Sequence, residues 1–231
     1  MGQSHTACAF AYPQPPMRTW LGKLPIATTV IATVVTVVSF IELVAGRAAG
    51  LPPDRLTHML GVWPSHLPTE PWRLVTSALV NPAFRTDTVY LSIFDHWAVN
   101  ILILLSSGRR VERRLGSWSV VGACLAGTLA LSLFVWARFP VGGPGGGTSG
   151  ASFGVLGAAI FLGLKAGGGY RRFALTGLAI TVLILSWMYD TDGIAAHVLA
   201  MVAGASFTWL LLTRWRPWRP WRPDRRGALP A

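Results

Sequence analysis

Six long apolar segments, separated by clusters of charge, constrain the fold of this chain more than any other feature of its sequence. The segments cover about residues 25–45, 90–107, 118–139, 149–165, 173–189 and 194–213. A helix of about 20 apolar residues crosses the hydrocarbon core of a bilayer. Only 13% of the residues are charged, against about 25% in a typical soluble domain. The sequence therefore predicts an all-α membrane protein built as a bundle of six transmembrane helices.

The first apolar segment has an alternative interpretation. A cleaved signal peptide has an apolar core of about 7–15 residues. Residues 25–45 are longer than that and carry a single charge, Glu42. The greater length favours a retained transmembrane helix.

The distribution of basic residues predicts the orientation of the bundle. Six crossings put both termini on one side, together with basic turns at 108–116 and 165–172, and this side carries 15 of the 20 Lys and Arg residues. Because loops rich in Lys and Arg stay in the cytoplasm, both termini are predicted to be cytoplasmic. The domains are then a cytoplasmic tail (1–24), a six-helix membrane domain (25–213, with an outer loop at about 46–88) and a basic cytoplasmic tail (214–231).

The net charge of +11 does not by itself indicate a nucleic-acid partner. The basic residues flank apolar segments, where they are typical of topology signals and of contacts with lipid headgroups. Three Trp-Arg-Pro repeats at residues 215–223 favour an anchor at the membrane interface, with a partner-binding tail as the alternative. The composition is typical of a bacterial plasma membrane. Cys8 and Cys124 fall at different predicted levels, so no disulfide is expected.

Polar side chains inside the predicted spans are candidates for a functional site, because burying them in hydrocarbon costs free energy. They are Glu42, Asp95, His96, Asn100, Ser149 and His197. The topology places His96, Ser149 and His197 at a similar level toward the outer face. Asn100 lies one helical turn below His96 on the same face.

Small residues offer a way for the fourth and sixth spans to meet. They recur every four residues, as Gly150, Gly154 and Ala158 in one span and Ala196, Ala200 and Gly204 in the other. Such spacing lets two helix backbones approach closely in lipid. Close approach would bring the Ser149 hydroxyl within hydrogen-bond reach of the His197 imidazole, although packing alone also explains these residues.

The polar candidates fit the chemistry of a serine nucleophile. A serine hydroxyl needs an adjacent base, and an imidazole can take its proton and return it to the leaving amine. Side chains of His96 and Asn100, with the Ser149 backbone N–H, could donate hydrogen bonds to the oxyanion. No third acid is apparent, so a Ser149–His197 dyad is predicted. Singly, the same residues are explained by helix capping, by hydrogen bonds between helices or by a proton path.

Five short motifs occur in order along the spans. They are Trp72-Arg73, the His-x-x-x-Asn pattern of 96–100, the Glu-x-x-x-Gly pattern of 112–116, Gly147-Thr148-Ser149-Gly150, and His197 in the last span. In this order they resemble the rhomboid family of intramembrane serine proteases, over roughly residues 25–213. The resemblance implies a six-helix fold and cleavage of single-pass membrane proteins near the outer leaflet, without metal or cofactor.

The resemblance also implies roles for individual residues. Ser149 would be the nucleophile and His197 the base, with His96, Asn100 and the Ser149 amide as oxyanion donors. Phe153 matches an aromatic residue that packs on the histidine. Gly150 follows the nucleophile, and Gly154 and Gly204 correspond to packing glycines.

Two departures keep other interpretations open. Ala200 stands where the family usually has glycine, and the stretch from Trp72 to His96 is longer than in the family. One alternative is therefore an inactive rhomboid-like protein that binds transmembrane helices, which the retained Ser149 and His197 argue against. Another is a transporter or channel, although no internal repeat of the kind common in transporters is evident. The sequence does not specify the substrate or the oligomeric state.

Overall fold

The computed structural model describes residues 25–48, 55–85, 90–141, 145–166 and 168–215, and these are mostly helical. The helices are α1 (Ile26–Ala48), α2 (Arg55–Leu60), α3 (Arg73–Thr76), α4 (Ile93–Leu115), α5 (Ser117–Arg138), α6 (Ser149–Ala166), α7 (Gly168–Met188) and α8 (Thr191–Leu210). A 3-10 turn, Ser77–Leu79, follows α3, and a π-helical turn, Leu211–Trp215, follows α8. Strands β1 (Phe84–Arg85) and β2 (Tyr90–Leu91) pair antiparallel before α4. The predicted tail 1–24 with Cys8, and the Trp-Arg-Pro repeats from residue 216 onward, lie outside the described residues.

Six of these helices are long, which agrees with the six segments predicted from the sequence. Among the described residues, four are long and apolar enough to cross a membrane, namely α1, α5, α6 and α8. Helix α4 carries polar groups along its length, including four arginines in its last two turns. The helical fold is therefore confirmed, while six crossings and cytoplasmic termini stay predictions.

Helix α6 lies at the centre of the bundle, where it contacts α4, α5, α7 and α8. Of its 18 residues 14 are buried, so that it is enclosed on every side rather than along one stripe. This burial follows from its composition, because a helix with apolar and small residues all round suits a core position. The Ser149 end of α6 is therefore fixed by packing from several directions.

Glycines let α6 and α8 touch through their backbones. A Cβ atom at Gly204 would lie 1.9 Å from the carbonyl oxygen of Gly154, and one at Gly157 would lie 2.0 Å from the carbonyl oxygen of Met201. No larger side chain fits at these positions without moving the helices. The predicted close approach of the two spans is thus present at Gly154 and Gly204.

Gly150 does not belong to that contact, which corrects the predicted stripe of small residues. Its missing side chain faces α5, since a Cβ there would lie 3.0 Å from the Cα of Thr128 and 3.3 Å from the carbonyl oxygen of Gly127. The missing side chain of Gly154 also faces Gly127 on α5, but the carbonyl oxygen of Gly154 lies against Gly204 on α8. A four-residue spacing indicates a shared helix face but not the helix that covers it. Because several helices surround α6, Gly150 packs against α5 rather than α8.

The prediction of a basic turn at 108–116 is wrong, because α4 continues as a helix to Leu115. Arginine is a good helix former, and the chain turns only at Gly116, which has φ 91°. The basic link predicted at 165–172 is wrong for the same reason, since Arg171 and Arg172 belong to α7.

Glu112, near the end of α4, ties three helices together. Its carboxylate accepts hydrogen bonds from the backbone N–H groups of Ala27 and Thr28, both at 2.9 Å, and from the hydroxyls of Thr28 and Ser117, both at 2.7 Å. The first N–H groups of a helix lack partners within the helix. Glu112 supplies them for α1 and so joins α1 and α5 to α4.

Two buried charged side chains give the outer loop a defined structure. Arg73 donates to the carbonyl oxygens of His58 at 2.8 Å and Gly61 at 3.1 Å, and it forms an ion pair with Glu70. Glu42, near the end of α1, accepts from the backbone N–H and the hydroxyl of Thr57 in α2. Part of the loop predicted at 46–88 is therefore an ordered layer attached to α1.

Candidate active site

Ser149 is the first residue of α6 and is buried. The chain reaches it through Gly146 and Gly147, which have φ values of 86° and 155°, a region that side-chain-bearing residues rarely adopt. A Cβ atom at Gly147 would also lie 3.4 Å from Cε1 of His96. This turn therefore brings the imidazole of His96 close to the start of α6, as the predicted depths of the two residues require.

Hydrogen bonds to the outer loop hold the segment before Ser149. The backbone N–H of Thr148 donates to Val80 O at 2.9 Å, and its hydroxyl donates to Ala78 O at 2.8 Å. One step earlier, Gly145 and Val62 exchange backbone hydrogen bonds at 2.8 and 2.9 Å. The outer loop thus fixes the approach to the nucleophile. The sequence carries no local signal for these contacts.

The backbone N–H of Ser149 has no hydrogen-bond acceptor within the described part of the chain. It lies at the N-terminus of α6, where N–H groups lack partners in the helix and the helix dipole favours negative charge. This amide is therefore available as a donor, and its oxyanion role stays a prediction.

His197 lies in the second turn of α8 with its ring held in one orientation. Its Nδ1 is 2.7 Å from the carbonyl oxygen of Gly193. A carbonyl can only accept, so Nδ1 carries the proton in the neutral ring. Nε2 is then left with a lone pair, and this buried atom has no hydrogen-bond partner among the described residues. The ring is in the tautomer that a general base requires.

Two aromatic rings pack against His197. The ring centroid of Phe153 is 4.6 Å from that of the imidazole in a T-shaped arrangement, and the centroid of Tyr189 is 4.4 Å away. The contact of Phe153 was expected from the family resemblance. Tyr189, between α7 and α8, was not identified from the sequence.

The helix contacts place Ser149 and His197 at similar levels. Phe153, which touches His197, lies one turn after Ser149 on the same face of α6. The two helices also touch further along, at Gly154 and Gly204. No hydrogen bond joins Ser149 Oγ to His197 Nε2 in this structure, in which both residues are described. Such contacts are often long in enzymes without substrate.

His96 is held in the same way as His197. Its Nδ1 is 2.9 Å from Pro82 O, so the neutral ring carries its proton on Nδ1 and leaves a lone pair on Nε2. Nε2 is buried and has no partner among the described residues. His96 can therefore donate from Nε2 to an oxyanion only when the ring is protonated. This condition refines the donor role predicted from the sequence.

Asn100 lies one turn beyond His96 on α4 and is fully buried. Its side-chain nitrogen donates to Oδ1 of Asn81 at 3.0 Å. Its backbone carbonyl accepts from the hydroxyl of Ser152 at 3.1 Å, which links α4 to the first turn of α6. One N–H of the Asn100 amide is used by Asn81, and the second is left for a ligand.

The comparison with known families decides where the chain belongs. The family profile described as the Rhomboid domain matches residues 68–214, which is more than half of the chain. This chain belongs to the rhomboid family. The match runs from the outer loop to the end of the helical bundle and includes Ser149, His197, His96 and Asn100. No curated protein and no solved structure matches the chain.

Rhomboid proteins are in general intramembrane serine proteases, and inactive members exist. The family match together with the apolar helices identifies an integral membrane protein. The family and fold therefore agree with the resemblance noted from the motifs, while the roles of Ser149, His197, His96 and Asn100 stay predictions.

The remaining polar candidates have structural partners in this rhomboid chain. Asp95 accepts from the backbone N–H and the hydroxyl of Ser92, which closes a capping box at the start of α4. Glu42 bonds Thr57 on α2. These separate local contacts do not favour the polar path of a transporter.

Ala200, the residue that departs from the family pattern, is fully buried in the same core cluster as Phe153 and Ala196. Its methyl group lies in a cluster with Phe153 of α6, while the backbones of the two helices touch at the neighbouring Met201 and at Gly204. The departure is therefore compatible with close packing of α6 and α8.

Proposed function

We propose that this rhomboid-family chain is an intramembrane serine endopeptidase that cleaves transmembrane segments near the outer leaflet with a Ser149–His197 dyad. The main support is the state of His197. Its Nδ1 proton is held by Gly193 O at 2.7 Å, and its Nε2 lone pair is buried and unpartnered within the described residues. This base packs on Phe153, one turn from a serine at a helix N-terminus.

In the proposed reaction, Ser149 Oγ attacks the scissile carbonyl carbon and passes its proton to His197 Nε2. The oxyanion accepts hydrogen bonds from the Ser149 N–H, from the second N–H of Asn100 and, when the ring is protonated, from His96 Nε2. His197 returns the proton to the leaving amine. Water then attacks the acyl-enzyme by the same route and releases the second product. No metal or cofactor takes part.

The proposal places the protein in a plasma membrane of bacterial type, with single-pass membrane proteins as substrates and with lipid around the bundle. It includes six crossings with both termini in the cytoplasm. The support is the excess of Lys and Arg on one side of the sequence-predicted topology.

Cysteine labelling tests this topology in whole cells. Cys8→Ala and Cys124→Ala give a cysteine-free background, to which Val141→Cys or Ser117→Cys is added. Both positions are exposed. A maleimide that cannot cross membranes should label Val141→Cys in intact cells and Ser117→Cys only after permeabilisation. The reverse pattern would contradict the orientation.

Cleavage in liposomes tests the activity. The purified protein and a single-pass substrate are reconstituted together, with Ser149→Ala as the test variant. Ser119→Ala is the matched control, because Ser119 is also a buried serine in the first turn of a long helix. We expect a cut near the outer face with the wild type and with Ser119→Ala, and none with Ser149→Ala.

The inactive helix-binding protein is the second candidate, and the missing hydrogen bond between Ser149 and His197 favours it. If the chain is such a binding protein, uncut substrate should co-purify with the wild type, and Ser149→Ala should leave the amount of bound substrate unchanged. Cleavage that survives Ser149→Ala would instead assign the activity to another residue.

A further inference from the structure

We infer that Asn81 is a positioning residue for the proposed proteolysis: anchored on α1 by Ser39, it orients the amide of Asn100 so that an N–H faces the oxyanion. The inference rests on the proposed function, since it assigns Asn100 to the oxyanion. Asn81 belongs to none of the motifs found in the sequence.

The contacts form a short chain of hydrogen bonds between three parts of the molecule. Asn81, in the outer loop, accepts from Asn100 Nδ2 on α4 at 3.0 Å. Its own Nδ2 donates to Ser39 Oγ on α1 at 2.9 Å. All three residues are buried, and Asn81 is 0% exposed. They are thus shielded from the bulk water that would otherwise replace a lost partner.

The two asparagines of this contact are the only asparagines in the chain. A carboxamide can turn over about its last torsion, which exchanges the oxygen and the nitrogen. If Asn100 turned over, its oxygen would replace the nitrogen next to Asn81. Two carboxamide oxygens would then face each other, and buried polar groups would lose their hydrogen bonds.

Val80, the residue before Asn81, contacts the segment that leads to Ser149. Val80 accepts the hydrogen bond from the backbone N–H of Thr148, the residue that precedes Ser149. Two adjacent residues of one loop therefore contact both the segment that leads to the nucleophile and the side chain proposed to stabilise the oxyanion. A position so close to both groups suits a residue that sets their relative orientation.

Helix α1 contributes to this hydrogen-bonded chain through Ser39. The family match begins at residue 68, so α1 lies outside it. Ser39 nonetheless accepts a hydrogen bond from Asn81 Nδ2 and so anchors this side chain to α1. If Asn81 only joined α1, the loop and α4, substituting it would lower the stability of the protein. Any loss of kcat would then be independent of Asn100.

A double-mutant cycle in liposomes separates the two roles. Asn81→Leu should lower kcat by about the same factor as Asn100→Ala, on the order of 10²-fold, with KM unchanged. In the Asn100→Ala background, Asn81→Leu should lower kcat no further. Equal losses from Asn81→Leu in both backgrounds, or a change confined to KM, would overturn the inference.

Two further variants keep the test decisive if Asn81→Leu does not fold. Asn81→Asp retains an oxygen that accepts from Asn100, so it should keep kcat within about tenfold of the wild type, as expected for the loss of a single hydrogen bond. Ser39→Ala should cause a smaller loss, which disappears in the Asn100→Ala background. A loss from Ser39→Ala that persists there would count against the inference.

The orientation can also be measured without catalysis, which distinguishes a failure of this inference from a failure of the proposed function. Selective ¹⁵N labelling of asparagine gives only two side-chain amide groups. In the wild type, Asn100 should show slow hydrogen exchange, and Asn81→Asp should preserve it while Ser39→Ala accelerates it. Unchanged Asn100 signals in Ser39→Ala would overturn the inference, even if the wild type cleaves no substrate. If the wild type cleaved no substrate but the exchange of the Asn100 amide changed in these variants as expected, only the proposed function would be overturned.

Discussion

Two regions hold the candidate site by different physical means. The first, the α6–α8 seam, consists of the backbone contact at Gly154, Gly157, Met201 and Gly204. The second, the polar brace, consists of the hydrogen bonds of Ser39, Asn81, Asn100 and Thr148. The seam works through close packing, which has no preferred polarity, whereas each bond of the brace requires a donor and an acceptor in fixed places.

This difference teaches what each region can control. The seam fixes how closely the helices that carry Ser149 and His197 approach each other. In the proposed mechanism, the brace sets which atoms face the substrate. Substitutions in the seam should therefore act mainly on folding, and substitutions in the brace mainly on kcat.

The largest effect is expected at His197, the base of the proposed dyad, which lies on α8 together with Met201 and Gly204 of the seam. His197→Ala removes the only base proposed for Ser149, so cleavage should fall by roughly 10⁴-fold or more. The fold should persist with reduced stability, because the ring gives up one hydrogen bond within its own helix and its contacts with Phe153 and Tyr189. Single-turnover cleavage in liposomes, together with a thermal unfolding curve, measures both effects. Near-normal turnover would remove His197 from the mechanism.

The next effect tests the seam alone. Gly204→Ala puts a methyl group 1.9 Å from the carbonyl oxygen of Gly154, and overpacking of this kind should lower the free energy of unfolding by about 1–3 kcal/mol. Gly177→Ala is the control, because a Cβ atom there meets nothing within 4 Å. It should be neutral or slightly stabilising, since alanine favours helix. Equal stability of the two variants in denaturant unfolding would mean that the seam is not tight.

A smaller effect tests the brace. Asn100→Ala should lower kcat by on the order of 10²-fold if the side chain is one of several oxyanion donors. KM should change little, because the bond forms mainly in the transition state. Steady-state cleavage over a range of substrate densities separates the two constants. An unchanged kcat with lower stability would make Asn100 purely structural.

The smallest effect sharpens the comparison at Thr148. Thr148→Val keeps the shape but removes the hydroxyl bonded to Ala78 O, which should cost about 1 kcal/mol. Since the backbone bond to Val80 remains, kcat should fall by about tenfold or less. Thr213→Val removes a hydroxyl that bonds only its own helix, and it should leave kcat unchanged. Identical kcat values for the two variants would place Thr148 outside the brace.

Much of the seam could be predicted from the sequence, because a helix repeats its faces locally. The recurrence of small residues indicated the contact between Gly154 and Gly204. The assignment of Gly150 to the same contact was wrong, because periodicity gives the face of a helix but not the neighbour that covers it. Likewise, charge at 108–116 indicated a turn where only Gly116 turns the chain.

The brace could not be predicted, because its partners are far apart in the chain. Asn81 is separated by 19 residues from Asn100 and by 42 from Ser39, and Thr148 by 70 from Ala78. Pairs at such distances leave no local pattern. The spacing of His96 and Asn100 did predict a shared helix face, but the tautomer of His96 depends on the loop carbonyl of Pro82.

The central claim, that His197 activates Ser149, is tested most directly by covalent labelling. A fluorophosphonate is incubated with wild type, His197→Ala and Ser119→Ala in liposomes, and the modified residue is identified by mass spectrometry. The account predicts a single adduct on Ser149 in the wild type and in Ser119→Ala, and none in His197→Ala. An absent adduct in the folded wild type, or undiminished labelling of Ser149 in His197→Ala, would contradict it.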